Sequence, residues 1–479
     1  MVNLLRSVSL LLSAGAAYAS LQIVPGATVT GTNTGAHVQA HGAGVIEVDG
    51  TYYLIGEDKT TGSAFQNINC YSSKDLVSWT YVGALLSRTA SGDLGPNRVV
   101  ERPKVIYNSS TRKYVMYLHI DDSSYGEAKV GVATSTGDSV CGSYNYIGSW
   151  RPLGFQSRDI GLYQDDDGKA YLLTEDVSLV LLLIVALIFL CRDVILTSAL
   201  SQRANGLRID ALTSDYLNVS SAVYTFGSYE APAIVKKNGY YFLFASKLTG
   251  WNANDNVYTY STSLSSGWSA WATFATAGSN TYTSQTNYVL PVSDSLTMYM
   301  GDRWVSTNLM TSTYVWLPLT FSGTKVTMAN QVNWIPNVAN GGAWTVGPSE
   351  SQPEGEAATL TNGAKTVTCS GCSGGSAAGY IGGSTGGTVT FNGVVSSAAT
   401  TSTIRVKYQN GDSSQRYATV SCNGVSQKVA FLPTASGNGT PGSSVVNCAL
   451  RSGSDNVVVI SQTDGTYGPD VDRIMVPAS

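Results

Sequence analysis

The chain has 479 residues, of which 13% are charged, and its formal net charge is −4. Because there is no basic excess, nucleic acid is not an expected partner. Fifty glycines and 28 tyrosines, with many serines and threonines, are typical of an all-β protein with short strands and tight turns. A chain of this length is too long to fold around one ordinary hydrophobic core, which predicts two domains.

The first nineteen residues predict a secretory signal peptide. Arg6 supplies a positive charge, residues 8–17 form a short apolar stretch, and Ala17-Tyr18-Ala19 matches an A-x-A cleavage site. We therefore expect cleavage after Ala19 and a secreted, extracellular protein in an oxidising environment.

The cysteines fit disulfide pairing within each of two parts of the chain. Cys191 lies at the end of an anomalous apolar stretch and is set aside. Two of the remaining six lie in the N-terminal part and four in the C-terminal part, so that each part can pair its own. For the C-x-x-C pair in this set, a short-loop disulfide is favoured over a zinc or redox motif. The six are Cys70, Cys141, Cys369, Cys372, Cys422 and Cys448.

A turn followed by an aromatic-rich strand recurs five times in the first 330 residues. The tyrosines that mark the copies lie 57 to 70 residues apart, and most copies are followed by a second strand. Five sheet units of this period predict a five-bladed β-propeller, which we assign to residues 20–340. In such a fold, loops from every blade converge on a central cavity.

The longest interval contains the apolar stretch VSLVLLLIVALIFL at residues 177–190. As a helix it would reach about 21 Å, short of the about 30 Å of a bilayer core. A membrane span here would also place Asp159 and Glu230 on opposite sides of the membrane. These two acids, described below, are expected to share one site. We interpret residues 177–202 as an anomalous insert. A 26-residue insert corresponds to a whole number of codons, so removing it keeps the reading frame. Val177 and Gln202 at its ends can be encoded by sequences that match splice sites. We therefore hypothesise that the insert is a retained intron.

The C-terminal quarter of the chain predicts a second β domain. Residues 341–352 have few apolar side chains and predict a linker. From 353 to 479, alternating strands and regular turns are typical of a β-sandwich. The predicted fold class is therefore all-β, a five-bladed β-propeller followed by a β-sandwich (jelly-roll) module.

Three acidic residues occupy similar positions near the starts of separate blades. They are Glu101 in VVERPKV, Asp159 in QSRDIGLY and Glu230 in GSYEAPA. Each precedes the aromatic strand of its blade, which predicts that all three reach the central cavity. One such acid alone would be interpreted as a solvated loop residue. Three together favour glycoside hydrolysis, in which one carboxyl donates a proton and another tunes its pKa.

The runs ERPKV, SRDIGLYQDDDGKAYLL and YEAPAIVKKNGYYFLFAS resemble glycoside hydrolase family 43 over about 300 residues. The resemblance implies a five-bladed propeller fold. It also implies a hydrolysis reaction that inverts the configuration at the anomeric carbon of the sugar. It also implies that Asp159 is the pKa modulator and that Glu230 is the general acid. The family's usual base is an Asp near the start of the first blade, and at that place the run QAHGAGVIEVDG has His41-Gly42 and no Asp.

In lacking this Asp, the chain resembles the exo-β-1,3-galactanase subgroup of the family, which also lacks the usual base. The resemblance implies that Gln285 in SQTNYVLPV positions or activates the attacking water, although an amide is a very weak base. Glu101 is the other candidate, either as base or as a substrate contact. An exposed Trp251 would stack on a sugar ring, whereas the alternative is a core tryptophan. The implied sugar contacts are Glu57, Tyr125, Asn205, Thr249 and Trp251.

The C-terminal block resembles carbohydrate-binding module family 35 in PEGEAATL, AAGYIGG and YGPDVDRIMV. The resemblance implies a structural Ca²⁺ ion, a hard cation that prefers oxygen ligands. Surface acids are the alternative interpretation. The implied calcium ligands are Glu354, Glu356 and Asp472. The implied sugar contacts of the module are Tyr380, Arg416 and Asp470, with Asn438 as a further candidate.

The leading hypothesis is a secreted, monomeric, inverting exo-β-1,3-galactanase that acts on the β-1,3-galactan backbones of arabinogalactans. It needs no cofactor for catalysis and has no nucleic-acid or membrane partner. An arabinofuranosidase or xylosidase on the same fold is an alternative that the missing first-blade Asp disfavours. A sugar-binding protein with an impaired catalytic domain is another, disfavoured by Asp159 and Glu230 and favoured by the insert.

Overall fold

The structure is a computed structural model that describes residues 21–176, 206–434 and 439–478. The predicted signal peptide, the insert at 177–202, Asn205 and Asn438 lie outside the described residues. Regular structure in the described ranges is almost entirely strand, with one four-residue helical turn at Asn280–Thr283 and short 3-10 turns. The prediction of an all-β protein is confirmed.

None of the described helices is both long enough and apolar enough to cross a membrane.

Twenty strands between residues 41 and 328 form five antiparallel four-stranded sheets, each with its strands in chain order. Sheet one contains β1 (His41–Val48), β2 (Thr51–Glu57), β3 (Asn67–Ser73) and β4 (Thr80–Ser87). Sheet two contains β5 (Arg98–Asn108), β6 (Lys113–Asp122), β7 (Lys129–Ser135) and β8 (Tyr144–Trp150). Sheet three contains β9 (Ile160–Gln164), β10 (Ala170–Glu175), β11 (Leu207–Leu212) and β12 (Val219–Thr225). Sheet four contains β13 (Glu230–Lys237), β14 (Tyr240–Ser246), β15 (Val257–Ser261) and β16 (Ala272–Thr273). Sheet five contains β17 (Gln285–Ser293), β18 (Leu296–Arg303), β19 (Thr313–Ser322) and β20 (Lys325–Met328).

The first strands of successive sheets contact one another, and β17 of sheet five also contacts β1 of sheet one. Buried apolar clusters fill the spaces between sheets one and two, two and three, and three and four. A further cluster joins sheets four, five and one. Each sheet therefore buries both faces, which explains why its middle strands are rich in large aliphatic and aromatic side chains.

The C-terminal strands form two facing sheets around their own apolar core. One has the order β25-β26-β33-β28-β31, with β23 also paired to β33, and the other has the order β24-β27-β32-β29-β30. The bounds of the strands are β21 (Trp334–Ile335), β22 (Thr345–Val346), β23 (Ser349–Ser351), β24 (Thr359–Thr361), β25 (Lys365–Thr368), β26 (Ser376–Gly379), β27 (Thr388–Ser396), β28 (Thr400–Gln409), β29 (Arg416–Cys422), β30 (Val425–Phe431), β31 (Gly442–Leu450), β32 (Gly453–Ser461) and β33 (Asp470–Ala478).

The segment predicted as a linker, 341–352, contains two short strands. Strand β22 pairs with β21, and β23 pairs with β33 at the end of the module. A second connection comes from the first described residues, since Ile23 pairs with Trp334 and Thr28 pairs with Ser444 of β31. The N-terminal segment therefore contacts the module as well as the end of the first domain.

Three disulfides lie in the described chain, and each closes within one of the two parts that the sequence distinguished. They are Cys70–Cys141, Cys369–Cys372 and Cys422–Cys448. The first connects β3 to the turn before β8 and so links sheets one and two. The prediction of pairing within each part, including the short C-x-x-C loop, is confirmed.

Gly56 permits the backbone approach that positions Glu57 at the end of β2. A Cβ at this position would lie 2.3 Å from the carbonyl carbon of Ala40, well inside van der Waals contact. Because the obstacle is backbone, it cannot move aside as a flexible side chain would. Strand β2 can therefore pack against residue 40 only with a glycine here.

We predict that Gly56→Ala lowers the free energy of unfolding by about 1–3 kcal/mol, the usual cost of overpacking a tight site. Chemical denaturation followed by tryptophan fluorescence measures it. Gly137→Ala is the matched control, because that exposed turn has no atom within 4 Å of a new Cβ. Equal stability of the two variants would contradict the proposed close approach.

Candidate active site

A cavity of about 290 Å³ is lined by residues from all five sheets or the loops beside them. It brings together the four predicted catalytic residues and three of the predicted sugar contacts. These seven are Glu57, Glu101, Tyr125, Asp159, Glu230, Trp251 and Gln285. Thr249 lies one residue from Gly250, which also lines the cavity. The roles assigned to these residues stay predictions, but the structure places them at one site.

Backbone irregularities aim the charged side chains into the cavity. The ladder between β5 and β6 shifts register after Glu101, and that between β13 and β14 shifts after Glu230. The residues that follow, Arg102 and Ala231, have positive φ angles of 50° and 54°. Such bulges redirect side chains, and strained backbone of this kind concentrates at functional sites.

Glu230 lies at the start of β13 with its Oε1 accepting a hydrogen bond from Gln285 Nε2 at 3.0 Å. Burial, followed by the nearby carboxylates of Asp159 and Glu175, raises the pKa of Glu230 to about 9, against the opposing charge of Arg102. The side chain is therefore protonated at neutral pH. A carboxylic acid that retains its proton at neutral pH can act as a general acid.

Asp159 is held by an ion pair with Arg102, whose Nε lies 2.6 Å from Asp159 Oδ1. The backbone amide of Asp159 lies 3.5 Å from Oε1 of Glu175, at the end of β10. Asp159 thus has a cation of its own and contributes negative charge to Glu230. This arrangement is what a pKa modulator requires.

Glu57 and Glu101 share the buried ammonium of Lys59. Lys59 Nζ lies 2.6 Å from Glu57 Oε2 and 2.9 Å from Glu101 Oε1. Tyr125 Oη donates to Glu101 at 3.1 Å, and His119 Nδ1 lies 3.5 Å from its other oxygen. Although burial opposes it, the charges of Lys59 and His119 hold the pKa of Glu101 well below its ordinary value. Glu101 is therefore a weak proton acceptor in this state.

Several residues that line the cavity, and the buried Lys59 beside it, were not predicted from the sequence. Arg102 directly follows the predicted Glu101, and Glu175 ends the third aromatic strand. Trp304 directly follows β18 and its indole Nε1 donates to Gln285 Oε1 at 3.0 Å. Charged or aromatic residues at the ends of repeated strands were the available signal. The residues missed are Lys59, Arg102, His119, Arg158, Glu175 and Trp304.

Trp251 is 39% exposed, so the alternative of a core tryptophan does not describe it. Its ring meets Trp304 edge to face at 5.3 Å. Thr249 is engaged locally, since its Oγ1 donates to the carbonyl of Asn252 and accepts from Asn254. An exposed indole at the cavity wall offers a flat apolar surface to a sugar ring.

Comparison with known proteins assigns the site to a family. The profile described as glycosyl hydrolases family 43 matches residues 37–337. The chain belongs to glycosyl hydrolase family 43. It is a glycoside hydrolase, and the resemblance inferred from its motifs is confirmed at the level of the family.

Solved structures of family 43 members are similar to this chain over most of its length. An exo-β-1,3-galactanase from Phanerochaete chrysosporium, solved with β-1,3-galactotriose, is 37% identical, with a TM-score of 0.63, over 95% of this chain and 100% of that chain. The same enzyme with galactose is 38% identical, with a TM-score of 0.63, over 95% of this chain and 99% of that chain. An exo-β-1,3-galactanase from Clostridium thermocellum is 25% identical, with a TM-score of 0.59, over 89% and 99%. No curated protein sequence matches the chain.

The C-terminal module of this family 43 enzyme matches a carbohydrate-binding domain. The matching profile, described as alpha-galactosidase, CBM13 domain, covers residues 388–476. The comparison supports a carbohydrate-binding domain and names family 13 rather than the predicted family 35.

The three predicted sugar contacts of the module lie near one end of its sandwich. Tyr380 is 46% exposed and has a positive φ of 59°. Arg416 donates to the carbonyl of Gly468 at 2.9 Å and pairs with Asp412 at 2.7 Å. Burial raises the pKa of Asp470, two residues from Gly468, against the opposing charge of Arg416. An exposed aromatic ring beside charged groups is a common form of sugar site.

The three predicted calcium ligands surround the turn at Ser373. Ser373 Oγ donates to Glu354 at 2.8 Å, and its backbone amide donates to Asp472 at 3.0 Å. Glu354 and Glu356 each keep one buried carboxylate oxygen without a hydrogen-bond partner. Asp472 also pairs with Arg473 at 2.6 Å. Within the described ranges, no three Asp, Glu, His or Cys side chains converge closely enough to hold a metal ion.

We predict that Asp159→Asn moves the alkaline limb of the activity profile to lower pH. Activity requires protonated Glu230 and falls as pH rises through its pKa of about 9. Removing the negative charge of Asp159 lowers that pKa, so the proton is lost earlier. The dependence of kcat on pH, measured with any hydrolysed substrate, tests this.

Asp167→Asn, on the exposed β9–β10 turn of the same sheet, is the matched control and should leave the limb in place. A limb that stays fixed in Asp159→Asn, or moves upward, would exclude Asp159 as the modulator.

Proposed function

We propose that this glycoside hydrolase is a secreted, inverting exo-β-1,3-galactanase that removes galactose from β-1,3-galactan backbones of arabinogalactans. The observation that carries the proposal is Glu230, a carboxylic acid with a pKa of about 9, hydrogen-bonded to Gln285 in the central cavity. One relative, solved with galactose and with β-1,3-galactotriose, supports the choice of sugar and linkage. The predicted signal peptide supports secretion.

We also propose that the five sheets are the blades of a closed five-bladed propeller. Contact between β17 and β1, together with the apolar cluster shared by sheets four, five and one, supports closure. Hydrogen bonds from sheet one to sheet five add to it, since His41 Nδ1 and the backbone amide of Gly42 both lie within 3.1 Å of Asp302.

The size of the cavity supports cleavage at the chain end. About 290 Å³ is at the small end of ligand sites. It suits one terminal sugar more than a long stretch of polysaccharide. In the proposed reaction, Glu230 gives its proton to the leaving oxygen as the bond from C1 breaks. Water forms the new bond to C1, and the proton that water releases restores Glu230 over the cycle.

The other acids are proposed to bind sugar hydroxyls. Glu57 and Glu101, joined through Lys59, present carboxylate acceptors to the cavity. Because both oxygens of Glu101 already have cationic or hydroxyl neighbours, we assign Glu101 to substrate contact rather than to proton abstraction. Gln285 is assigned to positioning water, because an amide is too weak a base to deprotonate it.

For the C-terminal domain we propose a sugar-binding module of the family 35 type with a structural Ca²⁺ ion. The unpaired buried oxygens of Glu354 and Glu356 support it, because an oxygen-seeking cation would satisfy them. Asp472 would be the third ligand, and the three carboxylates, which do not converge in the structure, would have to draw together around the ion. Such an ion would stabilise the junction of the first and last strands of the module and would play no part in hydrolysis. The enzyme is proposed to act as a monomer.

We predict that the mature protein releases galactose from β-1,3-galactan and that Glu230→Gln lowers kcat at least about 10²-fold, because the acid is lost. Chromatography of the products measures it, and NMR of the first anomer formed tests inversion. Because Gln has nearly the same size and shape as Glu, the Glu230→Gln variant is expected to fold normally, so a loss of activity reports the loss of the acid. Cleavage of xylan or arabinan without cleavage of galactan would favour the alternative hydrolases, and no cleavage would favour the impaired binding protein.

We predict that Ca²⁺ raises the unfolding temperature of the module and that a chelator lowers it, because the ion binds only the folded state. Differential scanning calorimetry measures both. Glu356→Gln should abolish the response to Ca²⁺, whereas Asp464→Asn, on an exposed turn of the module, should retain it. An unfolding temperature that is insensitive to Ca²⁺ and chelator in the native protein would refute the calcium site.

A further inference from the structure

The side-chain amide of Gln285 has three close partners in the cavity. Its Oε1 lies 2.6 Å from Arg102 Nη2 and 3.0 Å from Trp304 Nε1. Its Nε2 lies 3.0 Å from Glu230 Oε1. The amide therefore connects the general acid proposed above to one cation and one indole.

The chemistry of these partners fixes which end of the amide faces which group. A guanidinium N–H and an indole N–H can only donate hydrogen bonds. The atom between Arg102 and Trp304 must therefore be the acceptor, which is the oxygen. The nitrogen is then forced toward Glu230, and its N–H donates to Glu230 Oε1.

This orientation has a consequence for the proton of Glu230. Because the carbonyl oxygen of a neutral carboxylic acid is the stronger acceptor, the hydrogen bond from Gln285 to Oε1 of Glu230 favours the proton on Oε2. The second N–H of Gln285 is left to hold a water molecule or a sugar hydroxyl. The Oε1 atom of Gln285 already accepts from Arg102 and Trp304, so both of its lone pairs are occupied. Gln285 therefore has no acceptor available for a proton from water.

Trp304 is itself fixed by aromatic contacts. Its ring meets Trp251 at a centroid distance of 5.3 Å and an interplanar angle of 81°. His41 lies 5.5 Å away on another side, and His41 is held by Asp302 at 3.1 Å. Edge-to-face contacts of this type favour one ring orientation. The indole N–H is therefore aimed at Gln285 before substrate binds.

We propose that Trp304 is a positioning residue that, together with Arg102, holds the Gln285 amide with its nitrogen toward Glu230. The proposal rests on the proposed role of Glu230 as the general acid. Trp304 acts through Gln285, and its indole nitrogen rather than its ring surface is the group that matters. Arg102 does not supply the second donor here, because its Nε pairs with Asp159, its Nη1 donates to the carbonyl of Thr286 and its Nη2 makes the first hydrogen bond to Gln285.

Trp304→Phe tests the role because it keeps an aromatic ring and removes the N–H. The expected result is a fall in kcat of about tenfold, the effect of one lost hydrogen bond at a reacting group, with KM changed less than about twofold. The alkaline limb of the kcat profile should move to higher pH. The reason is that a loosened Gln285 donates less to ionised Glu230, which raises the pKa of Glu230.

Trp251→Phe is the matched comparison, because Trp251 lines the same cavity without donating to Gln285. Phenylalanine keeps an aromatic ring beside Trp304, so this variant should raise KM through lost sugar contact and leave the alkaline limb in place. If Trp304→Phe behaved in the same way, Trp304 would be a wall of the cavity and the proposal would be wrong.

A double-mutant cycle tests whether Trp304 acts through Gln285. In a Gln285→Ala background, Trp304→Phe should lower kcat by less than about twofold, because the amide to be positioned is gone. Full loss of about tenfold in both backgrounds would show an independent role and overturn the proposal.

A measurement without substrate separates this inference from the proposed function. With ¹⁵N-labelled tryptophan, the indole N–H signal missing from Trp304→Phe identifies Trp304 among the nine tryptophans. We expect Gln285→Ala to shift that signal upfield, as a lost hydrogen bond requires, and Thr283→Ala, on the preceding helical turn, to leave it unchanged. An unmoved signal in Gln285→Ala would overturn the inference, whether or not the protein cleaves galactan.

Discussion

The arrangement of the cavity depends on the buried guanidinium of Arg102. One side of it pairs with Asp159 of sheet three, and another donates to Gln285 of sheet five, while its own backbone belongs to β5 of sheet two. Its amide N–H also donates to Glu57 at 2.8 Å. Removing one partner of such a buried pair typically costs about 3–5 kcal/mol. Arg102 thus fixes the relative positions of residues from four sheets.

Burial, together with the distribution of cations among the carboxylates, explains why one acid keeps its proton. Lys59 forms ion pairs with Glu57 and Glu101, and Arg102 forms one with Asp159. Glu230 receives hydrogen bonds from the Gln285 amide and the Thr249 backbone, neither of which is a cation. A half-buried carboxyl among other negative charges then favours its neutral form. Acid strength here is set by burial and by the charges beside each carboxyl, rather than by the amino-acid type.

Much of the chemistry could be predicted from the sequence because it lies in local motifs. Glu101, Asp159 and Glu230 each occupy a repeated position before a strand, and Gln285 was found through the family resemblance. Lys59 and Trp304 were not found. Lys59 has one partner nearby, Glu57, but its other partner, Glu101, lies 42 residues away. Gln285 lies 19 residues from Trp304, so no local pattern connects these distant pairs. Arg102 was adjacent to a predicted residue, but its partners lie on other sheets.

By itself the sequence determined the strands, the five-fold repeat, the grouping of disulfides and the acids near the cavity. Each follows from short-range periodicity, turn chemistry or spacing, which operate over a few residues. Only the tertiary structure decided that Glu230 is neutral, that Glu101 is ion-paired and that the Gln285 nitrogen faces the acid. Those properties depend on charges and donors from separate sheets, which become neighbours only when the first strands pack together.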